Sequence, residues 1–151
     1  MILALCKLLR KAAWAPIAVV LFHAIIEKTS LRTPLDFPIH FLGGASMAFF
    51  FFHALDCFEA MLGTMTAFTR HLFSFSLACT VGLFWEFGEL FSDAFLHTHI
   101  QITLHETMSD LIADTTGAIT SLSLIFIGRC LAGDVQNRKS NERRSTNVAS
   151  S

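Results

Sequence analysis

Four long apolar segments, separated by short polar connections, constrain the fold of this chain more than any other feature. They cover about residues 11–27, 37–57, 72–92 and 107–131. A helix needs about 20 predominantly apolar residues to cross the hydrocarbon core of a membrane, with about 17 as the usual minimum. We therefore expect an all-α integral membrane protein in which residues 1–133 form a four-helix bundle. The polar residues 134–151 predict a disordered cytoplasmic tail.

The overall composition agrees with a membrane protein and argues against a nucleic-acid-binding one. Hydrophobic residues make up 53% of the chain and charged residues 15%, against about 45–50% and about 25% in soluble domains. The 16 phenylalanines suit a surface that faces lipid. A formal net charge of -1 offers no basic footprint for nucleic acid. The partner that the composition predicts is the lipid bilayer.

The first apolar segment is the shortest and admits two interpretations. It runs from Ala12 to Ile26 and is preceded by Lys7, Arg10 and Lys11. We expect a retained span that starts near Arg10, with the first five residues of the chain on the membrane surface. A signal peptide is the alternative, although the segment has no clear small-x-small cleavage site.

Two local patterns predict where helices begin. Pro34 and Pro38 precede the second segment, and Pro38 suits the first turn of a helix because the N–H that it lacks has no helical partner there. Thr107 lies three residues before Asp110, which is a spacing typical of a capping box at the start of the fourth helix.

The distribution of Lys and Arg predicts the orientation in the membrane. The N-terminus, the second connection and the C-terminal end together carry Lys7, Arg10, Lys11, Arg70, Arg129, Arg138, Lys139, Arg143 and Arg144. The first connection has only Lys28 and Arg32, and the third, residues 93–106, has neither residue type. Cytoplasmic loops are enriched in Lys and Arg. With four spans, both termini are expected in the cytoplasm.

This orientation places many acidic and histidine residues at the outer level of the membrane. They are Glu27, Asp36, His40, Glu89, Asp93, His97, His99, His105, Glu106 and Asp110. Within the third segment, Glu86, Glu89 and Asp93 lie on one helical face of roughly 60°. A charged side chain in the middle of a span costs about 2.5–3.5 kcal/mol. These carboxylates are therefore expected to face the interior of the bundle rather than lipid.

A second acidic stripe and several small residues complete the pattern. Glu106, Asp110 and Asp114 are spaced four residues apart and span roughly 80° of a helix. Gly43 and Gly44 follow His40, and Gly117 and Ala118 follow Asp114. Small residues allow membrane helices to approach closely. The pattern predicts three converging helices whose inward-facing side chains are His40, Glu86, Glu89, Asp110 and Asp114.

The spacing leaves the chemistry of this cluster open. Carboxylates with an imidazole are ligands for a divalent metal, for which the candidates are Glu89, Asp93, Asp110 and His40. Paired carboxylates also perform acid–base catalysis, and a cluster that shares protons relays them or binds a cationic head group. The alternative is a purely structural role, in which these groups cap helices and hydrogen-bond across the bundle. His23, His53 and His71 are expected to be incidental.

Three sequence blocks resemble those of a known kind of protein. They are His40-Phe41-Leu42-Gly43-Gly44, Trp85-Glu86-Phe87-Gly88-Glu89, and Glu106-Thr107-Met108-Ser109-Asp110 with its continuation to Ala118. Their order resembles small bacterial membrane proteins of the VanZ-like and YjdF-like kind. Residues 93–106 lack the basic residue typical of VanZ-like chains, and Asp114 stands where those chains tend to have Asn, so a role in glycopeptide resistance is not carried over. The Trp85-Glu86 and Glu106-Thr107 blocks fit the YjdF-like kind better. The resemblance implies a bacterial inner-membrane protein and a polar site, but no reaction.

We expect an inner-membrane protein whose outward-facing polar pocket binds a lipid head group, an envelope precursor or a divalent metal. One alternative is a membrane-embedded hydrolase or transferase acting on a lipid-linked substrate, with Glu86, Glu89 and Asp110 as metal ligands or acid–base groups and His40 as a ligand or proton shuttle. The other is a proton- or cation-coupled transporter. Only His53, Asp56 and Glu59 are polar candidates near the inner ends, which argues against transport.

Overall fold

A computed structural model describes residues 2–26, 29, 32–98, 100 and 103–149. It describes the side chains of all these residues except 32, 33 and 135–149. The helices are α1 (Ile2–Leu8), α2 (Trp14–Ile26), α3 (Arg32–Cys57), α4 (Glu59–Leu62), α5 (Ala67–Leu96) and α6 (Leu104–Ala149). A five-residue π-helix, Leu9–Ala13, joins α1 to α2. No strand occurs among the described residues. The predicted all-α fold is confirmed.

Four stretches of helix are long and apolar enough to cross a membrane. They are Ile2–Ile26, Pro34–Cys57, Ala67–Leu96 and Leu104–Asp134. Each includes most of a predicted segment, because length and hydropathy are properties of the sequence itself. The first helical stretch begins at Ile2 rather than near Arg10. Leu8 and Ala12 are buried, so the early turns of this helix pack on the bundle.

The starts of α3 and α6 differ from the two positions that the local sequence patterns predict. The capping box is formed by Thr103 and Glu106, one turn before the predicted pair: the Glu106 N–H donates to Thr103 Oγ1 (3.2 Å), and the Thr103 N–H donates to Glu106 Oε2 (3.1 Å). Thr107 and Asp110 lie inside α6. The prediction was wrong because a Thr-x-x-Glu pair caps at least as well as Thr-x-x-Asp and comes first along the chain.

Pro38 lies inside α3 and not in its first turn, because the helix already begins at Arg32. A proline cannot donate a helical hydrogen bond to the carbonyl four residues earlier, here that of Pro34. Pro34 is close to the helix start, where a proline is well tolerated. The proline that suits the first turn is therefore the earlier one.

The last helix extends beyond its apolar part. Its membrane-compatible stretch ends at Asp134, as the sequence predicts to within a few residues, but its backbone is helical as far as Ala149. The sequence predicts disorder over this tail. No proline interrupts residues 134–149, and an existing helix adds residues without a new nucleation cost, so the sequence permits the continuation. The disorder of the tail stays a prediction.

Helix α3 is the centre of the bundle. It packs against α2, α5 and α6, and α5 also packs against α6. The core between these helices consists of Ala48, Phe52, Ala78, Ala118 and Leu122. In the described part of the chain, the backbones of α2 and α5 do not come into contact. The first span is therefore held mainly by α3, which leaves a gap on its α5 side.

Glycines bring α3 and α6 together, as predicted. A Cβ atom added to Gly44 would overlap the backbone carbonyl of Asp114, and one added to Gly117 would overlap the carbonyl of Phe41. Only a residue without a side chain fits at these two positions. Close backbone approach of this kind is how small residues stabilise helix pairs in membranes.

Charged residues join the helices at one end of the bundle. Asp56 of α3 forms ion pairs with Arg70 of α5, with Arg129 of α6 (2.8 Å) and with Lys11 of the π-helix (3.8 Å). Arg70 also pairs with Glu59 (3.3 Å). The three cations belong to the set that the sequence assigns to one membrane side, and the structure brings them to one carboxylate.

Candidate functional site

The other end of the bundle holds a buried polar cluster. Its central members are His40 of α3, Glu86 of α5, and Asp110 and Asp114 of α6. Each of these side chains is only 2–6% exposed. Four of the five residues predicted to point inward therefore lie together, and they come from three different helices.

His40 occupies the middle of this cluster. Its Nδ1 atom lies 3.5 Å from Asp114 Oδ2 and 3.8 Å from Glu86 Oε1. The first distance is at the long end of a hydrogen bond, and the second is a close electrostatic contact. The imidazole is thus positioned between carboxylates of the two neighbouring helices.

Glycines set the position of Asp114. A Cβ atom added to Gly82 of α5 would lie 2.7 Å from Asp114 Oδ2, and one added to Gly43 of α3 would lie 3.3 Å from Oδ1. The Asp114 carboxylate therefore fills space that side chains at these positions would occupy. Gly43 was expected to allow close packing, whereas the role of Gly82 was missed because it depends on how α5 meets α6.

Asp36, His40 and Asp110 form a group with the composition of a metal site. One ligand atom of each lies within 4.8 Å of those of the other two. Asp36 is half-buried, and the other two residues are buried. Two carboxylates and an imidazole are suitable ligands for a divalent transition metal. Asp36 was placed at this membrane level but not in the site; its spacing of four residues from His40 is the signal that could have found it.

The remaining predicted site residues have other contacts. Glu89 is half-buried, accepts a hydrogen bond from Trp85 Nε1 (2.9 Å), and lies within electrostatic reach of His40 and Asp36. Asp93 accepts hydrogen bonds from the Thr98 hydroxyl and from the Ile100 N–H, both at 2.6 Å. Asp93 therefore ties down the connection after α5 and does not join the three-residue group.

The histidine pair in this connection is only partly described. His97 is exposed and ends α5 in the left-handed conformation, with φ of 54°. His99 lies outside the described residues. Glu106 forms part of the capping box at the start of α6, which is the structural role that the sequence analysis gave as the alternative to a site.

An apolar cavity of about 180 Å³ borders the polar cluster. Its walls are Val19, Val20 and His23 of α2 and Val81, Gly82 and Trp85 of α5, and α3 forms its floor. His40 and Asp114 line it from the side of the cluster. We call this space the lateral cleft. It occupies the gap between α2 and α5, which the sequence could not reveal.

Two aromatic rings meet across the lateral cleft. The imidazole of His23 and the indole of Trp85 pack edge to face, with their centroids 5.1 Å apart. His23 was expected to be incidental. The structure instead places it, together with Trp85, at the wall of a cavity beside the candidate site.

Comparison with known proteins identifies a family and no activity. Residues 10–130 match the family described as "Predicted membrane protein (DUF2238)". No curated protein and no solved structure matches the chain. The matched region contains nearly all of the four candidate spans, the polar cluster and the lateral cleft. The chain therefore belongs to the DUF2238 family of predicted membrane proteins.

Proposed function

We propose that this membrane protein binds a divalent metal ion through Asp36, His40 and Asp110, at a polar site in the outer half of a bacterial inner membrane. The observation that carries the proposal is the meeting of two carboxylates and an imidazole from α3 and α6 in one largely buried group. Of the ligands considered from the sequence, a divalent metal fits this set of donor atoms best.

The charge of the cluster supports a cationic ligand. Asp36, Glu86, Asp110 and Asp114 bring four carboxylates to one imidazole, and ionised groups within a membrane-spanning bundle are costly unless they are paired. A divalent cation bound directly by two of these carboxylates would offset that cost. Hydrogen bonding alone leaves the carboxylates with mutual repulsion.

The contact between His40 and Asp114 supports the same assignment. An Nδ1–H that donates to Asp114 leaves Nε2 as the ring nitrogen for a metal. Histidine ligands in proteins commonly donate their second ring N–H to a carboxylate, which fixes the orientation of the ring. Mixed nitrogen and oxygen donors favour zinc, manganese or iron over magnesium, which prefers oxygen donors alone.

A membrane-embedded hydrolase or transferase acting on a lipid-linked substrate is the second candidate. The lateral cleft favours it, because an apolar cavity reaches His40 and Asp114 from the side of the bilayer. In that case the metal would polarise the substrate, and Glu86 and Glu89 would serve as acid–base groups. A transporter is the third candidate, and the ion pairs around Asp56 count against it because they hold the inner ends of the helices together.

The orientation of the protein in the membrane and its closer resemblance to one of two protein groups are part of the proposal. The basic residues around Asp56 would lie at the cytoplasmic face, with both termini, and the metal site at the outer face. The Trp85-Glu86 and Glu106-Thr107 blocks make the chain nearer to YjdF-like than to VanZ-like proteins.

Metal binding is tested by isothermal titration calorimetry, in which Zn²⁺ or Mn²⁺ is added to the detergent-purified protein after chelator treatment. We expect saturable binding in the wild type and in Glu106→Gln, whose carboxylate belongs to the helix cap. Asp36→Asn and Asp110→Asn should each weaken binding by about tenfold or more, since each removes a ligand. Equal affinity in all four proteins would refute the proposed site.

A further inference from the structure

We propose that the lateral cleft receives one acyl chain of a membrane lipid, with the lipid's polar head directed toward the site at His40. The assignment of the cleft rests on its own geometry. The role of the head group rests on the proposed metal site. The inference thus names the class of molecule on which that site would act, an amphipathic lipid.

The cleft opens where the bundle is incomplete. Helix α2 packs on α3, but its backbone does not contact that of α5 among the described residues. Val20, in the cleft wall, is 51% exposed, so the wall continues onto the outer surface of the bundle. Since these helices span the membrane, that surface faces the acyl chains of the bilayer. A lipid chain can therefore enter sideways without crossing water.

The lining of the cleft changes character along its length. Pro16, Val19, Val20 and Val81 provide apolar walls, whereas His40 and Asp114 lie at the polar cluster. The walls suit an apolar segment of a ligand, and a polar group of the same molecule would lie at the end where His40 and Asp114 border the cleft. The lipids of the surrounding bilayer join an acyl chain to a polar head in this way.

The size of the cleft selects a single chain. Its volume of about 180 Å³ is below the roughly 300–1,000 Å³ of ordinary small-molecule sites. One turn of a helix that is about 10 Å wide and 5.4 Å long fills roughly 420 Å³, so the cleft is too small for a partner helix. A segment of a single acyl chain fits this volume, with the rest of the chain and of the lipid remaining in the bilayer.

The pair of rings at the cleft wall sets a condition on how a chain enters. His23 and Trp85 are in contact across the gap between α2 and α5. A chain that passes at their level must displace one ring or slide beneath them. Trp85 is also held by its hydrogen bond to Glu89, so movement of this indole is coupled to a carboxylate next to the site.

The test fills the cleft from each wall separately. Val19→Phe narrows it from α2, and Val81→Phe narrows it from α5. Ile17→Phe is the control, because Ile17 is 56% exposed on α2 and does not line the cleft. Each protein is purified in detergent and washed extensively. Bound phospholipid per chain is then counted by native mass spectrometry, and metal content and melting temperature are measured on the same samples.

We expect the wild type and Ile17→Phe to retain one phospholipid per chain. In Val19→Phe and Val81→Phe the amount of bound phospholipid per chain should fall by about tenfold or more, while the melting temperature stays equal to that of the control. Equal lipid retention in both filled variants and the control, or no retained lipid in the wild type, would overturn the inference. Loss of lipid in the filled variants of a protein that binds no metal would support the cleft and refute the proposed metal site.

Discussion

The imidazole of His40 lies 3.5 Å from the carboxylate of Asp114, although 74 positions separate the two residues in the chain. This contact joins α3 to α6 inside the candidate site, where the glycines bring the two helices into backbone contact. It makes Asp114 a positioning residue for the His40 ring, while Asp110 belongs to the group that would hold the metal.

We predict that Asp114→Asn weakens metal binding about 10–100-fold without abolishing it, because the imidazole loses a carboxylate that orients it. The measurement is a Zn²⁺ titration of the wild type, Asp114→Asn and Asp110→Asn. Asp110→Asn should have the larger effect, since it removes a ligand. An Asp114→Asn protein that binds Zn²⁺ with wild-type affinity would show that the contact with His40 has no part in the site.

The space around Asp114 predicts opposite effects for two glycines of α5. Gly82→Ala places a methyl group 2.7 Å from Asp114 Oδ2, so it should destabilise the protein by about 1–3 kcal/mol through overpacking. Gly88→Ala meets no atom within 4 Å and should be neutral or stabilising, by up to about 1 kcal/mol, because alanine favours helix. Reversible unfolding in mixed micelles measures both. Equal stability of the two variants would contradict the packing described.

The ion pairs around Asp56 predict a strong dependence of stability on one carboxylate. Asp56→Ala leaves Arg70, which is 8% exposed, without its closest partner, and should destabilise the bundle by about 3–5 kcal/mol. Glu59 pairs with the same arginine, but its side chain is 41% exposed, so Glu59→Ala should cost only about 0–1 kcal/mol. Unfolding in mixed micelles would contradict this account if Glu59→Ala were the more damaging change.

The proposed orientation predicts which cysteines can be labelled in intact cells. His97→Cys would place a thiol on the connection after α5, and Thr64→Cys one on the connection before it, and both positions are exposed. In chains that keep one cysteine at a time, a membrane-impermeant thiol reagent should label His97→Cys in spheroplasts, and Thr64→Cys only after permeabilisation. The reverse pattern would invert the topology and place the polar site at the cytoplasmic face.

The sequence predicts the four spans and most of the polar cluster because of two physical effects. Apolar length decides which helices can cross a membrane, and the cost of exposing carboxylates to lipid drives residues such as Glu86 and Asp110 inward. Both effects act on single helices, so one chain without its structure is enough to recognise them.

The errors and omissions concern features that depend on how elements meet or where they begin. The start of α6 was wrong because two capping patterns compete within one turn, and Thr103 precedes Thr107. Asp56 could be identified as polar, but not as the shared partner of Arg70 and Arg129. The lateral cleft follows from the missing contact between α2 and α5, which no property of either helix alone reveals.

The central claim is that Asp36, His40 and Asp110 hold one metal ion. The most direct test is the metal content of protein purified from membranes without chelators, measured by inductively coupled plasma mass spectrometry. Near-stoichiometric zinc, manganese or iron is predicted in the wild type and in Asp93→Asn, whose carboxylate serves the connection after α5. It should be lost in Asp36→Asn, His40→Ala and Asp110→Asn. A wild type without metal, or equal metal in all five well-folded proteins, would contradict the claim.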